Sequence, residues 1–146
     1  MKFVTHCVKD TEAIAQKLAK KLKGNEIVAF YGDLGVGKTA FIRGMVDYFG
    51  IKNLVSSPTF SLVNEYQTNK FKIYHFDMYR IKSSEDLEST GYFDYINRGV
   101  FLIEWSENIE NDIPDDAIEI SIEKGNSETL RIIEIKGVDF DENIGC

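Results

Sequence analysis

Apolar residues recur at helical spacing in two stretches of the N-terminal third. Ile14, Ala15, Leu18, Ala19 and Leu22 predict an amphipathic helix that Gly24 ends. Just ahead of it, Asp10-Thr11-Glu12 offers an N-cap and an acidic first turn. Phe41, Ile42, Met45, Val46 and Phe49 predict a second helix from about Lys38, closed by Gly50. Other stretches follow the strand period. Phe3 to Val8 alternates weakly, as an edge strand would. Ile27 to Tyr31 is a continuous apolar run, as in a buried strand. Phe60 to Tyr66 and Phe71 to Tyr79 alternate on either side of Thr68-Asn69-Lys70, which predicts an antiparallel pair. Ser83 to Leu87 resembles a capped, acidic helix start, and Gly91 and Gly99 bracket a short aromatic segment. Val100-Phe101-Leu102-Ile103 reads as a central parallel strand buried on both faces, with a short helix near Glu107. Ile118, Ile120 and Ile122 alternate, as do Leu130, Ile132 and Ile135 less regularly, around a Gly125-Asn126 turn.

Between the first buried strand and the second helix lies Gly32-Asp33-Leu34-Gly35-Val36-Gly37-Lys38-Thr39. It fits G-x-x-x-x-G-K-[ST], the phosphate-binding P-loop, in the strand–loop–helix setting that the chemistry requires. Glycines let the backbone fold around a phosphate without a Cβ clash. The loop N–H groups and the helix N-terminus then face the anion. Lys38 can reach the β- and γ-phosphates, and the Thr39 hydroxyl can bind magnesium. The expected fold is therefore α/β: one P-loop domain spanning residues 1–146, its mixed sheet having a parallel core and antiparallel additions, flanked by helices.

Composition narrows the function. A chain of 146 residues suits one core and leaves little room for a lid. A formal charge of -7 argues against a large phosphate-binding face for DNA or RNA, though a partner can hold the nucleic acid. No apolar run approaches membrane-spanning length, so no membrane association is expected. The N-terminus lacks a signal-peptide layout, and Cys7 and Cys146 form neither a metal spacing nor a disulfide framework. A cytoplasmic address is the default expectation. His6 and His75 are expected as strand residues with satisfied hydrogen bonds rather than as metal ligands.

Hydrolysis needs an acid for magnesium and a group that positions water. Two acids end apolar runs: Asp77 in His75-Phe76-Asp77-Met78-Tyr79-Arg80, and Glu104 in Val100-Phe101-Leu102-Ile103-Glu104-Trp105. Together they suggest a shared metal and water site, and the residues leave open which one touches the metal. Thr59, in the Ser57-Pro58-Thr59 turn, sits where P-loop proteins place a switch segment that senses the γ-phosphate. Trp105 is a candidate for nucleotide or partner contact. Arg43, Arg80, Arg98 and Arg131 are the arginines of the chain, and none is marked out as a transition-state arginine.

Taken together, Gly32 to Thr39, Ser57-Pro58-Thr59-Phe60, His75 to Arg80 and Glu104-Trp105 make the chain resemble the TsaE (YjeE) family over roughly residues 10 to 122. The resemblance implies a magnesium-dependent ATPase that assists the TsaB–TsaD pair in forming threonylcarbamoyladenosine beside the tRNA anticodon, without itself transferring the group. It implies that Lys38 and the amides of Asp33, Leu34, Gly35, Val36 and Gly37 hold phosphates, and that Thr39 and Glu104 bind magnesium. It further implies that Asp77 supports catalysis, Thr59 belongs to the switch segment and Trp105 serves activity or docking. Thr11 matches a position near the adenine, a role that stands beside that of a plain helix cap. Three rivals remain: a small-molecule kinase, a GTPase-like switch and an adaptor whose ATP only gates assembly. A small-molecule kinase usually needs an arginine-bearing lid and an acceptor pocket, against which four scattered arginines and a short chain argue, and Asn69-Lys70-Phe71-Lys72 lacks the guanine-reading aspartate.

Overall fold

The apolar run at 100–103 becomes the heart of the sheet. In the computed structural model, which describes residues 1–32, 37–51 and 63–140, every residue of this strand is buried. Alternate side chains enter two different cores, since strand residues point to opposite faces. Val100 and Leu102 face one core with Val28, Phe30, Ile42 and Met45. Phe101 and Ile103 face a second with Phe76, Met78, Leu87 and Tyr92. A strand covered on both sides has no use for polar residues, which is why the run is unbroken.

Seven strands form one sheet: β1 (Lys2–Thr5), β2 (Ile27–Tyr31), β3 (Val63–Gln67), β4 (Lys72–Asp77), β5 (Gly99–Glu104), β6 (Ile118–Lys124) and β7 (Arg131–Lys136). Their order is β1-β7-β6-β2-β5-β4-β3. β4, β5, β2 and β6 run parallel to one another, while β3, β7 and β1 add antiparallel pairings at the two edges. Helices α1 (Val8–Lys20) and α2 (Lys38–Tyr48) cover one face. Helices α3 (Ser84–Ser89) and α4 (Tyr92–Tyr95), with a 3-10 helix over Ser106–Asp112, cover the other. The architecture is thus the mixed α/β sheet with a parallel core that the periodicities predict.

Local chemistry explains several boundaries. The Glu26 carboxylate folds back to accept from the backbone N–H groups of Lys23, Gly24 and Asn25, closing the turn from α1 into β2. Ser83 caps α3 by accepting from Asp86 N–H at 3.1 Å, as its sequence position predicts. Thr68 holds the β3–β4 turn, its hydroxyl donating to Phe71 O and accepting from Phe71 N–H. Asn69 and Lys70 lie in that turn between two strands.

Two expectations need correction. The first helix begins at Val8, ahead of Asp10, with Cys7 at the N-cap and no side-chain cap bond. Asp10 instead reaches back to accept from the backbone N–H of His6 at 3.0 Å. His6 lies in a bend beyond β1 rather than in a strand. Phe60 to Leu62, the start of the predicted third strand, lie outside the described residues, and the described part of that strand is Val63–Gln67.

Candidate active site

The parallel register sets the site. Asp77 is the last residue of β4, Glu104 is the last of β5, and the two are Cα partners. Both therefore leave the sheet at the same level, beside the end of β2, after which Gly32 opens the Gly32–Thr39 motif. Glu104 is 4% exposed. Its Oε2 lies 2.8 Å from His75 Nε2, a hydrogen bond between residues far apart in sequence. His75 thus has the expected hydrogen bond at Nε2, while its buried Nδ1 has no partner among the described residues. Asp77 Oδ1 accepts from Tyr79 N–H at 3.0 Å. Burial pushes the Asp77 carboxyl above the ordinary aspartate range, with Glu104 adding to the rise; the Tyr79 amide, His75 and Lys38 pull the other way.

Lys38 opens α2 behind Gly37, whose φ of 108 is left-handed and suits glycine. The lysine is 4% exposed. Its ammonium donates to Gly32 O at 2.9 Å and sits 4.5 Å from the Trp105 ring centroid. The chain bends sharply to place that indole. Trp105 has φ 58 and ψ 44, an uncommon conformation for a bulky residue. Asn108 supports the bend, its backbone N–H donating to Trp105 O and its side-chain amide to Met78 O and Tyr79 O. Tyr79 packs on Trp105 with ring centroids 5.0 Å apart.

A cavity of about 340 Å³ adjoins the loop's end. Cys7, Val8, Thr11, Gly37 and Ala40 form one side, and Glu128, Thr129 and Arg131 the other. Thr11 is not a helix cap. It lies one turn inside α1, buried, its hydroxyl 3.0 Å from that of Thr5. The hairpin between β6 and β7, which carries no motif, supplies the outer wall.

Of the residues singled out from sequence, Lys38, Asp77, Glu104 and Trp105 converge, Thr39 lies in the first turn of α2, and Thr11 and Gly37 share the adjoining cavity. Asp33, Leu34, Gly35, Val36 and Thr59 lie outside the described residues. The residues that sequence reasoning missed are the cavity walls from the hairpin and the His75 contact with Glu104. Spacing gives no sign of either, because both depend on which strands pair.

The family model for threonylcarbamoyl adenosine biosynthesis protein TsaE matches residues 5–133. The chain belongs to the TsaE family. A Rickettsia prowazekii (strain Madrid E) member, a tRNA threonylcarbamoyladenosine biosynthesis protein TsaE, is 45% identical over 115 residues, covering 78% of this chain and 80% of the relative. A Bacillus subtilis (strain 168) protein of the same name is 36% identical over 133 residues, covering 90% and 83%. The crystal structure of Bacillus subtilis YdiB superposes with a TM-score of 0.74 at 32% identity, covering 91% of this chain and 82% of that one. Among the described residues, no helix is long and apolar enough to cross a membrane.

Proposed function

We propose that this TsaE-family chain binds and hydrolyses ATP with magnesium, and so supports a TsaB–TsaD pair in making threonylcarbamoyladenosine beside the anticodon of tRNA. The observation that carries the reading is the convergence of Lys38, Asp77 and Glu104 at the carboxyl ends of parallel strands. There an anion-binding helix N-terminus meets two acids. The adjoining cavity, next to Gly37, is the space for the base, with Thr11 in its wall.

The donor set fits magnesium. Among the described residues no group of three or more His, Cys, Asp or Glu could cage a metal. Magnesium with a nucleotide does not need one, since it keeps waters and uses one or two protein oxygens plus phosphates. Glu104 and Thr39 would hold it, and a bound ion would supply charge neutralisation at the phosphates. Lys38 leaves Gly32 O and Trp105 to reach the phosphates, a task the sequence motif shares with the loop amides of 33–37. Asp77, whose proton affinity is raised by burial, orients the attacking water and accepts its proton. Thr59 senses the γ-phosphate from the switch segment, and Trp105 guards the lysine.

At charge -7 the chain lacks the cationic excess that tRNA binding draws on, so contact with tRNA runs through the partners, in the cytoplasm. The decisive experiment measures ATP hydrolysis by the chain alone and with TsaB and TsaD, alongside tRNA modification with and without it. The expected result is slow hydrolysis alone, acceleration by the pair, and loss of both hydrolysis and modification in Lys38→Ala. Modification that persists with full rate in Lys38→Ala would overturn the reading. ATP-dependent assembly without hydrolysis would leave the gated adaptor, and phosphorylation of a small metabolite would leave the kinase.

A further inference from the structure

We propose that His75 is a positioning residue that sets the orientation of the Glu104 carboxylate, and through it the affinity of the site for its divalent ion; this rests on the magnesium role given to Glu104 above. The contact is short, 2.8 Å, and dry, the two side chains being 0% and 6% exposed. Two oxygen or nitrogen lone pairs cannot face each other at that distance without repulsion. With Glu104 as the ionised carboxylate that its magnesium role requires, Nε2 carries the hydrogen and Oε2 accepts it. One carboxylate oxygen is thereby tied to the ring, which restricts how the group can turn.

The placement is costly unless it serves the acid. His75 follows Ile73 on the same face of β4, and Ile73 is core there. An apolar side chain would continue that core without burying a second ring nitrogen. Nδ1 of His75 is buried and has no hydrogen-bond partner among the described residues. Such an atom carries a desolvation penalty. The ring is held in place instead by packing, stacked on Tyr66 with centroids 6.5 Å apart and planes 27° apart. His75 and Asp77 stand two residues apart on one face of β4, and Asp77 is in register with Glu104. The histidine thus braces the acid from inside the sheet, while Asp77 meets it at the rim. Ring partners that orient a metal-holding group change metal affinity by about 10- to 100-fold when removed.

The test titrates manganese into the full chain with a non-hydrolysable ATP analogue, following the free ion by electron paramagnetic resonance. Affinity for the analogue without divalent ion is measured beside it. His75→Ala should weaken manganese binding about tenfold or more and leave metal-free nucleotide affinity unchanged. In a Glu104→Ala background, adding His75→Ala should cost nothing further, because the residue it orients is gone. His75→Gln, whose amide N–H reaches the Nε2 position, should restore most of the affinity. His75→Asn, whose amide reaches only the Nδ1 position, should not. The Gln–Asn pair carries the test if the alanine variant fails to fold. Manganese affinity held within twofold in His75→Ala, or equal affinities for Gln and Asn, would overturn the role of His75 while leaving Glu104 as a holder. Unchanged affinity in Glu104→Ala alone would overturn both. Equal losses with and without Glu104 would mark His75 as a general brace of the sheet and overturn the proposal.

Discussion

Gly44 tests how closely the two helices that frame the cavity must approach. It lies within α2, where glycine is ordinarily a liability: alanine in a helix interior is favoured by about 1 kcal/mol. The packing opposes that gain. A Cβ at position 44 would sit 2.9 Å from Glu12 Cα, 2.9 Å from Glu12 O and 2.9 Å from Ala15 Cβ, all on α1. Two of those atoms are backbone and cannot swing aside. Restoring ordinary contact requires α1 to move by about 0.5 Å or more. Overpacking of this kind costs about 1–3 kcal/mol, and backbone contacts place it in the upper part of that range. Gly44→Ala should therefore lose about 1–2 kcal/mol net, or roughly 2–8 °C in Tm for a chain of this length. The same shift would carry Thr11 away from Ala40, across the cavity assigned to the base, so ATP should bind more weakly. Thermal and urea unfolding measure the first effect, and calorimetry with ATP the second. A raised Tm would mean that helix propensity outweighs the clash, and would refute the close approach of α1 to α2.

The site yields two further predictions. ATP with magnesium should change the fluorescence of Trp105, the sole tryptophan, as the Lys38 ammonium leaves its ring; a spectrum unmoved at saturating nucleotide would argue that the lysine stays parked. Burial raises the Asp77 carboxyl above its unfolded value, so the folded chain loses stability as pH rises from that unfolded value through the raised one, and loses none below it. Asp77→Asn keeps an oxygen for Tyr79 N–H and removes the charge, so its stability relative to the parent should improve from pH 3 to pH 7, read by urea unfolding at each pH. A difference constant across that range would contradict a half-buried, reluctantly ionised carboxyl.

Much of the framework is readable from local pattern. The run 100–103 announces burial on both faces, and the alternations about Thr68–Lys70 announce an antiparallel pair, because each depends on the residues themselves. The start of α1 is less legible. Cys7 makes no cap bond, and the one strong cap signal, Asp10, acts backwards on His6 N–H from within the helix. The cavity walls are not legible at all. Thr5 pairs with Arg131 across β1 and β7, and this long-range register brings the hairpin turn to the start of α1. His75 offers the same lesson inside the site: that it would find a hydrogen bond was foreseeable, but its partner lies 29 residues on and is chosen by the β4–β5 register.

That register also explains why the polar chemistry gathers where it does. Strands β2, β5 and β4 are apolar for most of their length because helices cover both faces. The first place where each can carry a functional group is its carboxyl end, where cover stops. Parallel pairing puts those ends level, so Gly32 follows β2 beside Glu104 closing β5 and Asp77 closing β4. A helix that starts there presents its unpaired N–H groups to the same crevice. The motif at Gly32–Thr39 supplies the half proposed to bind the anion, and the two acids of the site lie far from it in the sequence. They arrive through the sheet, each delivered by a buried strand whose apolar residues fix its register. A slip of one residue in β4 against β5 would turn Asp77 to the opposite face and separate His75 from Glu104. The apolar residues Phe76 and Ile103, paired side by side in the second core, guard against that slip, so they help to set the site from within the core.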